Sequence, residues 1–491
     1  MSLKPSLAFA AAAALALSAN AFRLANGAPE RVLEVQQAAS RTLNQPTSAV
    51  VTRLSGAAEA RLVVGAADSL AVFDATPELR PIATQKGAYT TMATGDLDGD
   101  GAEEVVTGES VDSRPAVRVR GGDLRVRWVA PLKWRTPPTR VVVVDLDGDG
   151  RGEVVAGNDA GELIALTPAG RVLWSHDSQV SGEAGQLRGL DDVRLPGAGR
   201  AVALARRGST AGELAVLGPD GLPIASVRLK SSVRRLRTFD RDGDGSTELF
   251  VGCDDNWMYV YDASGKLVDA VLVVSRSVVE IRPAETDRNP KTREALAGDR
   301  DGNVAVVEGS GLRAQLNVGS RIGALLGADA DADGVDEVFA GTEDGQVVEL
   351  HASGRELSRH RVSGAVERML ALPRAQGEPL ALAVISRGGV RVLRYVEQQV
   401  PVGGRAWLGV LPGALLVLAV ALLRPGRVPT PAPAAAAAAD VARRRIEEWI
   451  AKGSVNADAA RRRLQELDAE AKRTVRTVAA PAPPPPPRGR R

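Results

Sequence analysis

The stretch Asp145-Leu146-Asp147-Gly148-Asp149-Gly150 follows the apolar run 140–144 and precedes Glu153-Val154-Val155-Ala156-Gly157. Its three aspartates stand at alternate positions, and its glycines permit the backbone torsions of a tight turn. The apolar runs on either side are short and rich in valine, which is typical of buried strands. The stretch therefore predicts a strand, an acidic turn and a second strand in immediate succession.

This acidic turn occurs four times in the chain, each time with a glutamate three residues after its last glycine. Counted from the first aspartate, the carboxylates occupy positions one, three, five and nine. They are Asp96, Asp98, Asp100 and Glu104; Asp145, Asp147, Asp149 and Glu153; Asp240, Asp242, Asp244 and Glu248; and Asp329, Asp331, Asp333 and Glu337.

Carboxylates at alternate positions of a tight turn converge, and they repel one another unless a hard cation lies between them. Calcium takes about six to eight oxygens, which three aspartates, the carbonyl at position seven and the glutamate can supply. The flanking segments are strands, and the glutamate is not at position twelve, so the turns are not EF-hands. A single copy is equally compatible with an ordinary turn. Four copies with the same trailing glutamate favour Ca2+ binding in most of the loops, with the sixteen carboxylates as the candidate ligands.

The acidic turn belongs to a longer unit. In the second copy, four predicted strands over 140–144, 153–157, 162–166 and 171–174 are separated by turns, which indicates an antiparallel meander. The position that ends the second predicted strand recurs at intervals of 43 to 49 residues. The residues at this position are Gly65, Gly108, Gly157, Arg206, Gly252, Gly298, Gly341 and Ser386. Repeated four-stranded units of this length are typical of a β-propeller.

We therefore expect an all-β propeller of about eight blades over residues 50–396. Seven blades are the main alternative, because the first and last units are degenerate. Units one, four, six and eight lack a complete acidic turn, and unit six keeps only the relic Asp287-Arg288-Asn289. Asp191, in unit four, is expected to have no role in metal binding.

The pattern Asp-x-Asp-Gly-Asp-Gly-x-x-Glu-Val-Val-x-Gly resembles the FG-GAP/VCBS repeat of integrin α-subunit propellers and bacterial surface proteins. The resemblance implies that the turn joins the first two strands of a blade and binds calcium. That family often has aspartate at position nine, where this chain has glutamate. The resemblance also implies that a partner binds the opposite rim, which would carry Asp159, Asp254, Asp255, Trp257 and Asp344. Trp257 is the best single candidate, and a strand residue packed between blades is the alternative for it. The closing Gly-x-x-Leu-Trp of the unit is similar to quinoprotein-type propellers, a likeness of fold only.

The composition restricts the remaining possibilities. Aromatic residues make up 3% of the chain, so the core is expected to be aliphatic. The single cysteine, Cys253, rules out an intrachain disulfide and is expected to be a small buried apolar residue. No nucleophile elbow, phosphate loop or zinc spacing is present, so no catalytic residues are assigned and the protein is not expected to be an enzyme.

Both ends of the chain carry membrane signals. Residues 1–21 have the pattern of a secretory signal peptide, with an uncleaved anchor as the alternative. Residues 406–423 contain no charge and are long enough for one transmembrane helix. From residue 424 onward there are 15 Lys/Arg against 7 Asp/Glu. The positive-inside rule therefore predicts a single-pass protein of the cytoplasmic membrane, with the propeller outside and the C-terminus in the cytoplasm.

The predicted cytoplasmic part has three segments. Residues 425–439 are a Pro/Ala-rich linker, residues 440–478 are helical, and residues 479–491 form a disordered Pro/Arg tail. The helical segment resembles small oligomerisation modules, with a basic amphipathic helix on anionic lipid as an equal alternative.

These features together predict a calcium-stabilised, membrane-tethered propeller that binds a protein or glycan partner in adhesion, reception or envelope scaffolding, without nucleic acid. A quinoprotein-like propeller enzyme and a purely structural component of an envelope complex are the alternatives.

Overall fold

The structure is a computed structural model, and it describes residues 31–399 except 55–56, 58, 112, 177–184, 198, 209–210, 274–275, 290, 375–377 and 379. Every regular element in this part of the chain is a strand. None of its segments is a helix long and apolar enough to cross a membrane. The predicted signal peptide, the span 406–423 and the segments 425–439, 440–478 and 479–491 lie outside the described residues.

The strands form eight four-stranded antiparallel sheets, as the repeat predicts. The first strand of the described residues, β1 (Arg31–Arg41), precedes blades 1 to 4. Blade 1 contains β2 (Pro46–Thr52), β3 (Arg61–Ala66), β4 (Ser69–Asp74) and β5 (Pro81–Lys86). Blade 2 contains β6 (Tyr89–Gly95), β7 (Glu104–Val111), β8 (Arg114–Arg120) and β9 (Val126–Pro131). Blade 3 contains β10 (Arg140–Val144), β11 (Glu153–Gly157), β12 (Leu163–Leu166) and β13 (Val172–His176). Blade 4 contains β14 (Gln186–Arg194), β15 (Arg200–Arg207), β16 (Gly212–Leu217) and β17 (Pro223–Leu229).

The second half of the chain repeats this plan. Blade 5 contains β18 (Val233–Phe239), β19 (Glu248–Cys253), β20 (Trp257–Tyr261) and β21 (Leu267–Leu272). Blade 6 contains β22 (Val278–Ala284), β23 (Glu294–Asp299), β24 (Asn303–Glu308) and β25 (Gly311–Asn317). Blade 7 contains β26 (Ile322–Ala328), β27 (Glu337–Thr342), β28 (Gln346–Leu350) and β29 (Glu356–Arg361). The last three strands are β30 (Val366–Ala371), β31 (Ala381–Ser386) and β32 (Gly389–Gln399).

Blade 8 is completed by the beginning of the chain. Its strand order is β1-β32-β31-β30, and β1 pairs with β32 antiparallel from Arg31 opposite Gln399 to Arg41 opposite Val390. The strands therefore extend beyond the expected range 50–396 at both ends. The physical reason is that the last repeat supplies only three strands, and β1 covers the edge that β32 would otherwise expose.

The core is divided among the interfaces between blades. In the described part of the chain, eight apolar clusters lie one between each pair of neighbouring blades, including blades 8 and 1. Second strands such as β11 are buried along their whole length because each faces a neighbouring blade on both sides. The clusters consist mainly of Val, Leu and Ala. Cys253 is fully buried in the cluster of blades 4 and 5, and burial raises the pKa of its thiol.

The periodic glycine at the end of the second strand permits close approach of the next blade. A Cβ at Gly252 would lie 2.7 Å from Val278 Cγ1, and one at Gly298 would lie 2.7 Å from Ile322 Cγ2. Val278 and Ile322 begin the first strands of the following blades. The regular spacing of these glycines in the sequence therefore arises from the close packing between blades and not from the geometry of a turn.

Two tryptophans on outer strands connect neighbouring blades. Trp128 Nε1 donates to the Pro168 carbonyl of blade 3 at 2.8 Å, and Trp174 Nε1 donates to the Pro219 carbonyl of blade 4 at 3.0 Å. Each indole lies against the glycine of that turn, so a Cβ at Gly170 would approach the Trp128 ring to 2.8 Å. The indole thus buries its apolar face and satisfies its N–H in the same contact.

Candidate metal centres and the partner rim

The four acidic turns lie on one rim of the ring, because each joins the first and second strands of its blade. In three of them the structure brings together oxygens of positions one, three and nine within 4.8 Å of one another. These groups are Asp96, Asp98 and Glu104; Asp145, Asp147 and Glu153; and Asp240, Asp242 and Glu248. In blade 7 the group is instead Asp329, Asp331 and Asp333.

The first aspartate of each turn shapes the loop. In blade 3, Asp145 accepts hydrogen bonds from the backbone N–H groups of Gly148 at 2.8 Å and Gly150 at 3.0 Å. Gly148 and Gly150 have φ angles of 79° and 87°, the left-handed region that glycine adopts without strain. In blade 7, Ala332 adopts a φ of 61° at the place where the other turns have glycine. A side chain in that region is strained, so this loop is held less favourably than the others.

The glutamate at position nine is buried and held by the backbone. Glu153 is 3% exposed, and its Oε2 accepts the Leu146 N–H at 2.8 Å. The same contact to the residue at position two occurs at Glu104, Glu248 and Glu337. One carboxylate oxygen is thereby fixed, and in blades 2, 3 and 5 the glutamate contributes an oxygen to the group.

The aspartate at position five does not belong to the group in three loops. Asp100, Asp149 and Asp244 each accept the backbone N–H two residues later, at 2.7 to 2.8 Å. The structure therefore does not place these three carboxylates with the other predicted ligands. In blade 7 Asp333 belongs to the group and Glu337 does not.

The pKa directions reflect crowded negative charge. Burial raises the pKa of Glu153, and the charges of Asp147, Asp149 and Asp145 raise it further. Burial raises the pKa of Glu337 to about 7, with contributions from Asp331 and Asp333. Such a carboxylate is more stable beside a cation. The donor set consists of oxygens only, which fits a hard cation such as calcium.

Arginine side chains neutralise part of this charge in blades 2 and 7. Arg127 of β9 lies 2.6 Å from Asp98 and 2.9 Å from Glu104, and its hydrogen bond lowers the pKa of Asp98. In blade 7, Arg288 lies 2.6 Å from Asp333 and Arg374 lies 3.8 Å from Asp329. Within the described residues, no Lys or Arg lies within 4.0 Å of the grouped carboxylates in blades 3 and 5.

A fifth acidic group was missed by the sequence pattern. Glu285, Asp287 and Glu294 of blade 6 have carboxylate oxygens within 4.8 Å of one another. The sequence shows only a relic here because the turn begins with glutamate and places Glu294 at position ten rather than nine. Oε2 of Glu294 also accepts two hydrogen bonds from Thr286, one from its backbone N–H and one from its hydroxyl.

Most of the predicted partner residues on the opposite rim have local contacts. Asp254 contacts Arg234, Arg207 and the Ser277 hydroxyl. Burial alone would raise the pKa of Asp254, but the hydrogen bonds from Arg234 and Ser277 lower it. Asp159, Asp255 and Asp344 accept hydrogen bonds from Thr139, Tyr259 and Thr342 respectively. Trp257 is half-buried at the start of β20, and its ring is 6.4 Å from that of Tyr259.

The chain was also compared with known proteins. No family model matches it, and no curated protein matches it. Among solved structures it is similar to BamB from Moraxella catarrhalis, with 14% identity and a TM-score of 0.52 over 74% of this chain and 100% of that chain. It is similar to Sqt1 from Saccharomyces cerevisiae, with 12% identity and a TM-score of 0.56 over 73% of this chain and 100% of that chain. It is also similar to the Dos1 propeller, with 11% identity and a TM-score of 0.51 over 74% and 95%. At these identities the similarity concerns the fold, and the protein is an all-β propeller of eight blades.

Proposed function

We propose that this protein is a calcium-stabilised, membrane-tethered propeller of the FG-GAP/VCBS type that binds a protein or glycan partner outside the cytoplasm and is not an enzyme. The observation that carries the proposal is the gathering of carboxylate oxygens from positions one, three and nine in three loops of one rim. Calcium at these loops would tie the first strand of a blade to the second. It would thereby stiffen the ring on which the opposite rim is built.

The expected calcium affinity of the four loops differs with the arginine side chains that contact their carboxylates. The groups of blades 3 and 5 have no arginine within 4.0 Å among the described residues, so they have no arginine in direct contact. Burial raises the pKa of Glu248 in blade 5, although the charge of Arg241 lowers it in part. In blade 2 the ion must compete with Arg127 for Asp98 and Glu104. In blade 7 it must compete with Arg288 and adapt to a loop with a strained alanine. Blades 3 and 5 are therefore the tighter sites.

The partner surface we propose is the rim opposite the calcium loops. It is formed by the turns between second and third strands and by the crossings between blades. Trp257 is the anchor on this surface, because a half-buried aromatic side chain supplies large contact area at small entropic cost. The acidic residues around it hold the turns in place through the contacts described above.

Site-specific photo-crosslinking tests this assignment. We expect a photoreactive residue in place of Trp257 to yield a discrete cross-linked species in intact cells. The matched control is the same residue in place of Lys266, which is exposed in the turn between β20 and β21 on the other rim, outside the acidic turn. Equal cross-linking from both positions, or cross-linking from Lys266 alone, would refute the partner rim.

The membrane topology is tested by protease accessibility. The proposed orientation rests on three features of the sequence: the signal-like start, the uncharged span 406–423 and the basic tail. Protease added to spheroplasts is expected to digest the propeller and to leave an epitope tag at the C-terminus intact. Lysed spheroplasts serve as the control, in which both must be digested. Protection of the propeller in intact spheroplasts would contradict the proposed orientation.

A further inference from the structure

The first strands of the blades surround the axis of the ring, and their register places charged residues at matching heights. Arg140 is opposite Gly157, Arg235 is opposite Gly252 and Glu280 is opposite Gly298, each at the same step of its blade. Arg368 of blade 8 lies at the same step, opposite Ile385. It follows a β-bulge between the first and second strands, as Arg235 and Glu280 do in their blades. This height is near the rim opposite the calcium loops, because every first strand begins there.

A second layer lies two residues deeper along the same strands. It contains Arg237 of blade 5, Arg282 of blade 6 and Asp191 of blade 4. Asp191, which is not expected to bind metal, is part of the channel. The two layers together, named here the channel cluster, hold five arginines and two carboxylates, an excess of three positive charges: Arg140, Arg235, Arg237, Arg282, Arg368, Asp191 and Glu280.

The two carboxylates are shared among three of the arginines. Glu280 lies 2.7 Å from Arg235 and 2.9 Å from Arg282, and Asp191 lies 4.0 Å from Arg237. The buried Nε atoms of Arg235 and Arg237 have no hydrogen-bond acceptor among the described residues. Donors of this kind are costly to leave unsatisfied in a confined space.

Arg140 and Arg368 are the uncompensated members. Arg140 donates to the Thr139 carbonyl at 2.6 Å, and Arg368 donates to the Ala49 carbonyl at 2.9 Å. Within the described residues, neither has a carboxylate within 4.0 Å. Burial lowers the pKa of Arg368 to about 10, and the charges of Arg282 and Arg235 lower it further. Burial and the charge of Arg235 likewise lower the pKa of Arg140.

We propose that the channel cluster is a binding site for a small multivalent oxyanion of the phosphate class. Guanidinium groups bind such anions through paired N–H donors, and the channel cluster supplies five guanidinium groups against two carboxylates. Like charges enclosed by a ring of protein focus their field on the axis, where an anion would neutralise the excess. The site is separate from the calcium loops and does not depend on their occupancy.

Isothermal titration of the full-length protein with inorganic phosphate and with sulfate tests the proposal. Chloride holds the ionic strength constant, and no calcium is added, so that phosphate stays in solution. We expect saturable binding of one equivalent to the wild-type protein. The double variant Arg140→Gln/Arg368→Gln leaves one excess charge, and we expect it to bind about tenfold more weakly or worse.

The matched control is Arg125→Gln/Arg228→Gln, which removes the same charge from the outer surface, where Arg125 is 90% exposed and Arg228 is an exposed residue of the outer strand β17. It should bind within about twofold of wild type, since exposed charges are screened. Glu280→Gln removes a negative charge from the channel, which raises its positive excess from three to four, and it should tighten binding. Absence of saturable binding to the wild type, equal weakening by the control, or unchanged affinity in Glu280→Gln would each overturn the channel site.

Discussion

Chelation of calcium is expected to lower the melting temperature of the purified protein, and added calcium should restore it better than magnesium. The folded loops bind calcium and the unfolded chain does not, so each site at 100 times its dissociation constant contributes about 2.7 kcal/mol of apparent stability. Sites in blades 3 and 5 alone would contribute roughly 5 kcal/mol. Magnesium demands a smaller octahedral site and keeps its water, so it replaces calcium poorly in a flexible loop.

The loop of blade 3 is the best place to test this residue by residue. Asp147→Ala is expected to remove one equivalent of bound calcium, measured by equilibrium dialysis, and to reduce the calcium-dependent rise in melting temperature. Asp220→Ala is the matched control, because Asp220 is an exposed aspartate on the same rim that caps a turn by accepting the Leu222 N–H at 3.0 Å. It should change neither quantity. If chelation leaves melting unchanged and no calcium co-purifies, the acidic loops are only turns.

The second large effect is expected at Arg120, whose guanidinium is fully buried between blades 1 and 2. Arg120 lies 3.3 Å from Glu109 and donates to Thr107 Oγ1 at 2.7 Å and to Gln85 Oε1 at 3.2 Å. Its guanidinium also lies 5.3 Å from the centre of the Tyr89 ring. Arg120→Met removes the fully buried partner of Glu109, which is 2% exposed. Glu109 keeps its ion pair with Arg118 at 3.1 Å, so the variant leaves its charge partly compensated. We expect a loss of about 2–4 kcal/mol in the free energy of unfolding by urea.

Two further variants distinguish the effect of breaking the buried ion pair on stability from the effect of removing any arginine. Arg125→Met removes a side chain that is 90% exposed, and it should cost less than about 1 kcal/mol. Adding Glu109→Gln to Arg120→Met should recover part of the loss, because it removes a buried carboxylate whose remaining ion-pair partner is the partly exposed Arg118. A loss below about 1 kcal/mol for Arg120→Met would show that the buried pair contributes little to holding blades 1 and 2 together.

The sequence by itself determined the class of fold and the position of the acidic turns. The predicted strands 140–144 and 153–157 coincide with β10 and β11. Local information suffices here because each blade is a meander whose strands pair with their neighbours in sequence. The repeat of about 45 residues gave the number of blades for the same reason. Glycine spacing was informative because the packing of neighbouring blades excludes a side chain at those positions.

Contacts between segments distant in sequence were decided only by the tertiary structure. Strand β1 completes blade 8 across more than 300 residues, and nothing in its own sequence specifies that partner. Arg127 reaches the acidic group of blade 2 because β9 folds back beside the loop. The channel cluster combines residues of five blades, which closure of the ring alone brings around one axis. Each of these depends on where separate strands meet, which a local pattern of residues does not encode.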